Sequence, residues 1–220
     1  MGPGQAPSLL QAKRSGRAVI GMDKDQSMVD LAARRHPTIS FARAALPTLP
    51  CAGRILDAVT ANFVLNHTPD PGAAARELRR VLRPGGRLVA TIWTSQLVPL
   101  NQMWNDVMRH ASVSPPPGLR LAAELDFDRT VEGFALLLTE AGFGQVECHE
   151  VRWTFQIEAD DLWGAVEAGI AVIGQTYQAQ DLSGRRRMRA TYEEVAAALS
   201  IDGTLVLPSV ALIAAARPAP

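Results

Sequence analysis

The sequence predicts an open α/β fold with a mostly parallel sheet. Three observations carry that prediction. Apolar runs suited to covered strands alternate with amphipathic helical stretches between residues 18 and 93. Proline and glycine punctuate the alternation, most clearly at Arg83-Pro84-Gly85-Gly86. The glycines of Met1-Gly2-Pro3-Gly4 precede an acid at the end of the first run, with Gly4 and Asp23 standing 19 positions apart. That is about the spacing, roughly 20, at which a glycine turn admitting an adenosine ligand is followed by the carboxylate that binds its ribose.

Residues Ala6 to Ser15 can form a helix that Gly16 stops. Ala18 to Met22 is a continuous apolar run, as in a strand covered on both faces. Asp25 can cap a helix through Arg35, with Met28, Leu31 and Ala32 on one face and His36-Pro37 at its end. Ile39 to Ala42 is a weak edge strand, and Pro47 and Pro50 mark a loop. Leu56 to Phe63 reads as a buried strand. Asp70-Pro71 opens a helix with an apolar stripe of Ala74, Leu78, Val81 and Leu82. The Arg83-Pro84-Gly85-Gly86 turn leads into a strand over Arg87 to Trp93.

Beyond Trp93 the pattern changes. Ser112 to Gly118, with its triple proline, is a stiff connector. A helix is predicted from about Thr130 to Ala141, closed by Gly142. From Val146 to Phe155 the apolar positions switch from even to odd numbers, which suggests a bulge near His149-Glu150. Two helices follow at about 160–177 and 184–199, then a strand at about 204–216 after the Asp202-Gly203 turn.

Composition excludes several classes. Lys+Arg and Asp+Glu both number 22, so no net field draws nucleic acid or an anionic membrane. The longest apolar runs fall far short of the ~18 residues that span a bilayer, and Gly and Pro occupy the N-terminus where a leader's apolar region would stand. Cys51 and Cys148 lie far apart with no second ligand at metal spacing, so reduced thiols, no metal and a cytoplasmic location are expected.

Four motifs in order, Val19-Ile20-Gly21-Met22-Asp23, Leu56-Asp57-Ala58-Val59, Leu65-Asn66-His67-Thr68-Pro69-Asp70-Pro71 and Glu77 through Leu88, resemble the class I S-adenosylmethionine-dependent methyltransferases. The nearest likeness is to the small-molecule branch that includes ubiquinone and menaquinone methyltransferases. The likeness covers about residues 2–93; Ala141-Gly142-Phe143 and the last strands also suit that family's antiparallel hairpin. It implies a Rossmann-like sheet, S-adenosyl-L-methionine as cofactor and a small, apolar or aromatic acceptor. Residues 1–93 would form a cofactor half, and 94–220 acceptor-pocket helices plus antiparallel strands, in one continuous domain.

The resemblance also implies site residues. Asp23 would accept hydrogen bonds from both ribose hydroxyls. Gly2, Gly4 and Lys24 would adjoin the cofactor, with Met28, Ala45 and Leu46 around the adenine. Asn62, Phe63 and Val64 would line its methionine end. His67 is either a general base or a helix-start histidine bonded to backbone.

Three departures stand out: the family's first strand and first glycine have no counterpart, Ala45 stands where an adenine-binding Asp is common, and no helix precedes the first strand. The first strand would sit mid-sheet, between the strands at 18–22 and 56–63. Each buried backbone group left unpaired there costs about 1–3 kcal/mol, against a native stability of roughly 5–15 kcal/mol. The expectation is therefore a chain truncated within the glycine motif, with impaired cofactor binding. The alternative is a non-catalytic relative that pairs with a homologous subunit, for instance as a homodimer. A nicotinamide enzyme is disfavoured because Pro7 stands where the dinucleotide fingerprint needs glycine.

Three further features leave alternatives open: His149 and Glu150 as pocket or strand edge, Arg185-Arg186-Arg187 with Arg189 as anion site or solvated helical turn, and Trp153, Phe155 and Trp163 as acceptor pocket or core.

Overall fold

The computed structural model describes residues 15–117 and 121–219. Gly2, Gly4 and nearly all of the helix expected over 6–15 lie outside them. Two compact units emerge, one of residues 1–93, 124–149 and 212–220 and the other of residues 94–123 and 150–211.

In the first unit, strand β1 (Ile20–Asp23) pairs in parallel with β2 (Ser40–Arg43). Between them runs α1 (Gln26–Arg35), whose N-cap Asp25 accepts a hydrogen bond from the Ser27 amide. Strand β3 (Leu56–Asn62) is joined to its parallel neighbour β4 (Leu82–Trp93) through helix α2 (Pro71–Val81). Asp70 caps α2 by accepting from the Ala73 amide, and Pro71 occupies the first turn. Leu65, Leu78, Leu88, Ile92 and Leu212 are fully or almost fully buried against Phe134, Leu138 and Phe143. Full burial of such a side chain is worth about 1.5–3 kcal/mol.

Two expectations about these strands need correction. Neither β1 nor β3 is covered throughout: Ile20 is 43% exposed, and Ala58 and Thr60 face solvent. Among the described residues β1 and β3 are not hydrogen-bonded neighbours, and each has one edge without a strand partner. Side chains there lose the shielding of an adjacent strand. The Arg83-Pro84-Gly85-Gly86 segment, expected as a turn, belongs to β4. Its register jumps from Leu56↔Leu82 to Ala58↔Arg87, so it is accommodated as an irregularity within the ladder.

The larger sheet has the order β3-β4-β7-β5, where β5 is Phe143–Glu158 and β7 is Thr204–Pro218. Both strands run through both units. The burial parity of β5 does switch, from even positions up to Glu150 to odd positions at Phe155 and Ile157. A two-residue strand β6 (Ser200–Ile201) pairs antiparallel with β7 across the Asp202-Gly203 turn, where φ is +50° and +82°.

The second unit is mainly helical. Helix α3 (Pro99–His110) was not expected from the sequence, although Leu100, Met103, Trp104 and Val107 form a stripe behind Pro99. In the first unit, α4 (Val131–Glu140) is capped by Thr130. The single helix expected over 160–177 is two helices, α5 (Ala159–Glu167) and α6 (Ala171–Gln178), because Gly169 adopts φ +75° and turns the chain. Helix α7 (Leu182–Leu199) completes the unit.

Trp163 is core, 2% exposed, with its ring 4.9 Å from that of Tyr192. Trp153 is partly exposed and Phe155 packs against the same core. Three of the arginines around 185–189 brace the unit. Arg185 donates to the Tyr177 and Gln178 carbonyls, Arg187 to the Ala111 carbonyl, and Arg189 pairs with Glu193 and Asp160.

Candidate cofactor and acceptor site

The C-terminal ends of parallel strands are where loops can present ligating groups, and β1 ends on Asp23. Its carboxylate accepts from the Asp25 amide at 3.0 Å, which folds the chain sharply into α1. The Asp23 carbonyl accepts from the Ala44 amide at 2.9 Å, and the Lys24 carbonyl from Arg43 Nε at 3.1 Å. This tie holds open a cleft of about 790 Å³ lined by Lys24, Asp25, Gln26, Arg43, Ala44 and Ala45. Met28 is half-buried in the following helical turn. Ala45 is exposed on the cleft wall, and the next residue, Leu46, turns inward against the core of the first unit.

At the end of β3, the Thr91 hydroxyl donates to Asn62 Oδ1, and the Phe63 amide donates to the Thr91 carbonyl at 3.0 Å. Phe63 has φ +52°, a left-handed conformation that non-glycine residues seldom adopt. Its ring stacks on Trp93 with centroids 4.2 Å apart. Val64 packs on the core, and a short 3₁₀ turn, Leu65–His67, follows.

His67 ends that turn. Its Nε2 lies 3.4 Å from Asn66 Nδ2, and Asn66 Oδ1 is buried with no hydrogen-bond partner among the described residues. Although His67 is exposed as a residue, its imidazole pKa is lowered, first by desolvation of the ring and then by the charges of Lys24 and Arg129.

Lys24 and Ala45 thus line one cleft, with Asp23 next to Lys24 in the chain, and Asn62, Phe63, Val64 and His67 gather at the end of β3. Sequence reasoning missed the Phe63–Trp93 stack, the Thr91 hydroxyl and Arg129. Trp93 at the end of a strong strand was the one local signal. His149 is exposed on β5, while Glu150 is engaged by Gln96 and Arg152. A neutral imidazole can accept a proton near pH 7, an aromatic pair can face a cation, and a carboxylate can hold a diol.

Residues 1–90 match the family model described as methyltransferase domain. A demethylmenaquinone methyltransferase of Paenarthrobacter aurescens is 36% identical over 86 residues, covering 39% of this chain and 34% of that protein. A malonyl-[acyl-carrier protein] O-methyltransferase of Hahella chejuensis is 29% identical over 175 residues, covering 78% of this chain and 58% of that protein. The solved structure of the YcgJ protein from Bacillus subtilis aligns with TM-score 0.55 at 16% identity, over 91% of this chain and 82% of that one. The chain is similar to the class I S-adenosylmethionine-dependent methyltransferases, with the methyltransferase domain match confined to residues 1–90. It spans 34% and 58% of the two curated methyltransferases just named. S-adenosyl-L-methionine is the cofactor of this methyltransferase family. The donor set fits that molecule in kind, with an acid at the strand end for the ribose and an aromatic pair for the sulfonium.

Proposed function

We propose that this protein moves a methyl group from S-adenosylmethionine to a small-molecule acceptor. The observation that supports the reading most is that Asp23 and Phe63 to His67 all stand at or just beyond the C-terminal ends of parallel strands in the first unit. Asp23 holds the ribose, Lys24 adjoins the cofactor, and Met28, Ala45 and Leu46 flank the adenine. Asn62, Phe63 and Val64 line the methionine end. Bound there, the cofactor supplies an electrophilic methyl carbon. The protein's share is to hold the acceptor in line and, for a hydroxyl acceptor, to take its proton on His67. Residues 94–203 supply the acceptor pocket.

Because Asp23 sits on a strand with an open edge, we expect cofactor affinity weaker than micromolar. Titration calorimetry with S-adenosylhomocysteine tests both parts. Weak binding that drops roughly tenfold or more in Asp23→Ala, as loss of charge-assisted hydrogen bonds requires, supports them. Micromolar or tighter binding retires the impairment, and no binding retires the catalytic reading. The open edges of β1 and β3 favour a second reading, a non-catalytic relative that pairs with a homologous subunit. Light scattering after size exclusion decides it: a stable monomer removes that reading.

A further inference from the structure

At the other end of β3 and β4 lies a second cavity in the same unit, of about 680 Å³. Arg54, Arg76, Arg79 and Arg80 line it, and among the described residues no carboxylate side chain does. The chain as a whole has no net charge, so this concentration is local. β3 alone is 7 residues long, about 20 Å at ~3.3 Å per residue, which sets this cavity well apart from Asn62 at the strand's far end.

Two of the four guanidinium groups are positioned by the fold. Arg79 Nε donates to the Gly142 carbonyl at 2.7 Å. Arg80 donates to Glu77 and to the Cys51 carbonyl. Glycine makes room for both. A Cβ on Gly142 would stand 2.8 Å from Arg79 Nε, and one on Gly53 would stand 3.3 Å from the Arg80 carbonyl oxygen. The guanidinium groups of Arg54 and Arg76 have no hydrogen-bond or ion-pair partner among the described residues. Nearby Arg83 is neutralised by Asp57, and Arg217 is tied to the Gly85 carbonyl.

Guanidinium forks match the oxygens of a phosphate group, and several can share one dianion. A cavity within about 300–1,000 Å³ holds a small organic molecule rather than a bare ion. We propose that this cavity binds a phosphate-bearing small molecule, with Arg54 and Arg76 supplying the free forks and Arg79 a fixed guanidinium, while Arg80 is already paired with Glu77 and shapes the wall. The proposal does not rest on the methyltransferase reading.

Titration calorimetry of the full chain with pyrophosphate tests it, with inorganic phosphate and citrate as comparison probes and S-adenosylhomocysteine present throughout. The expected result is saturable pyrophosphate binding that weakens roughly tenfold or more in Arg54→Gln/Arg76→Gln. It should stay unchanged in Arg34→Gln/Arg35→Gln, a control on the exposed last turn of α1. If circular dichroism shows the double variant misfolded, Arg76→Lys provides the test. It keeps the charge but loses the fork, so weaker binding is expected. No pyrophosphate binding, equal affinity for citrate, or an equal loss in the α1 control overturns the proposal.

Discussion

Replacing Gly142 by alanine probes the junction of α4, β5 and the arginine cavity. Gly142 has φ +88°, so an alanine there bears the left-handed penalty of about 1–2 kcal/mol. Its Cβ would also stand 2.8 Å from Arg79 Nε and 3.0 Å from Cδ. The guanidinium must move, and its 2.7 Å bond to the Gly142 carbonyl is lost. A hydrogen bond to a charged group is worth about 1.5–3 kcal/mol, so Gly142→Ala should cost roughly 2.5–5 kcal/mol in total. For a chain of this size the melting temperature falls about 2–4 °C per kcal/mol. The midpoint of thermal unfolding followed by circular dichroism should therefore drop by roughly 5–20 °C. In an Arg79→Ala background the steric and hydrogen-bond parts vanish, leaving only the backbone cost of about 1–2 kcal/mol. An equal penalty in both backgrounds would refute the reasoning.

The folded-state pKa of His67 is depressed, so the unfolded chain binds more protons near that pH. Its effect on stability is absent above the unfolded value and becomes a penalty as pH falls through it towards the folded one. In two-dimensional proton–nitrogen spectra its titration midpoint should lie below that of a model histidine peptide, and His67→Gln should flatten the stability profile over this window. A midpoint at or above the peptide's value counts against a neutral base. Burial, aided by Glu132, pushes the Cys148 thiol up to about 11, so its nucleophilic thiolate is scarce at mildly alkaline pH. Intact-mass measurement after iodoacetamide treatment should show Cys148 unmodified in the native chain and modified once unfolded. Rapid native labelling would contradict that burial.

The parts of the fold set by neighbours in sequence were legible. Asp25, Asp70 and Thr130 cap the helices expected of them because capping is decided within three residues. Asp202-Gly203 turns the chain for the same local reason, and the parity switch of β5 could be read from apolar spacing alone. Helix α3 has a stripe but no polar start signal, because its N-cap is Val98, which offers no side-chain cap. The break at Gly169 depends on tertiary packing: a Cβ on Gly174 would stand 2.5 Å from the Gly169 carbonyl carbon, so the start of α6 fits only against glycine there.

The site was legible in its residue types more than in its physics. Asp23 and the β3 turn were found by motif order. The lowered His67 pKa arises first from desolvation of its ring and then from Lys24 and Arg129, all of which depend on residues remote in sequence, and the stack on Trp93 needs two parallel strands in register. The arginine cavity was invisible for a similar reason. Arg79 and Arg80 read as an exposed helical turn until the sheet brings Arg54 alongside them.

The first unit is assembled from three separate stretches of chain, the last of which is the end of β7. Leu212, Ala214 and Ala216 are almost fully buried in its core, and the Ala219 amide donates to the Gly142 carbonyl. During synthesis, α2 and α4 therefore emerge from the ribosome long before the residues that seal their hydrophobic interior. The unit that carries Asp23 and His67 cannot close until Leu212 and the residues just after it have been made, so a nascent chain stalled short of Leu212 would present that unfinished interior to chaperones.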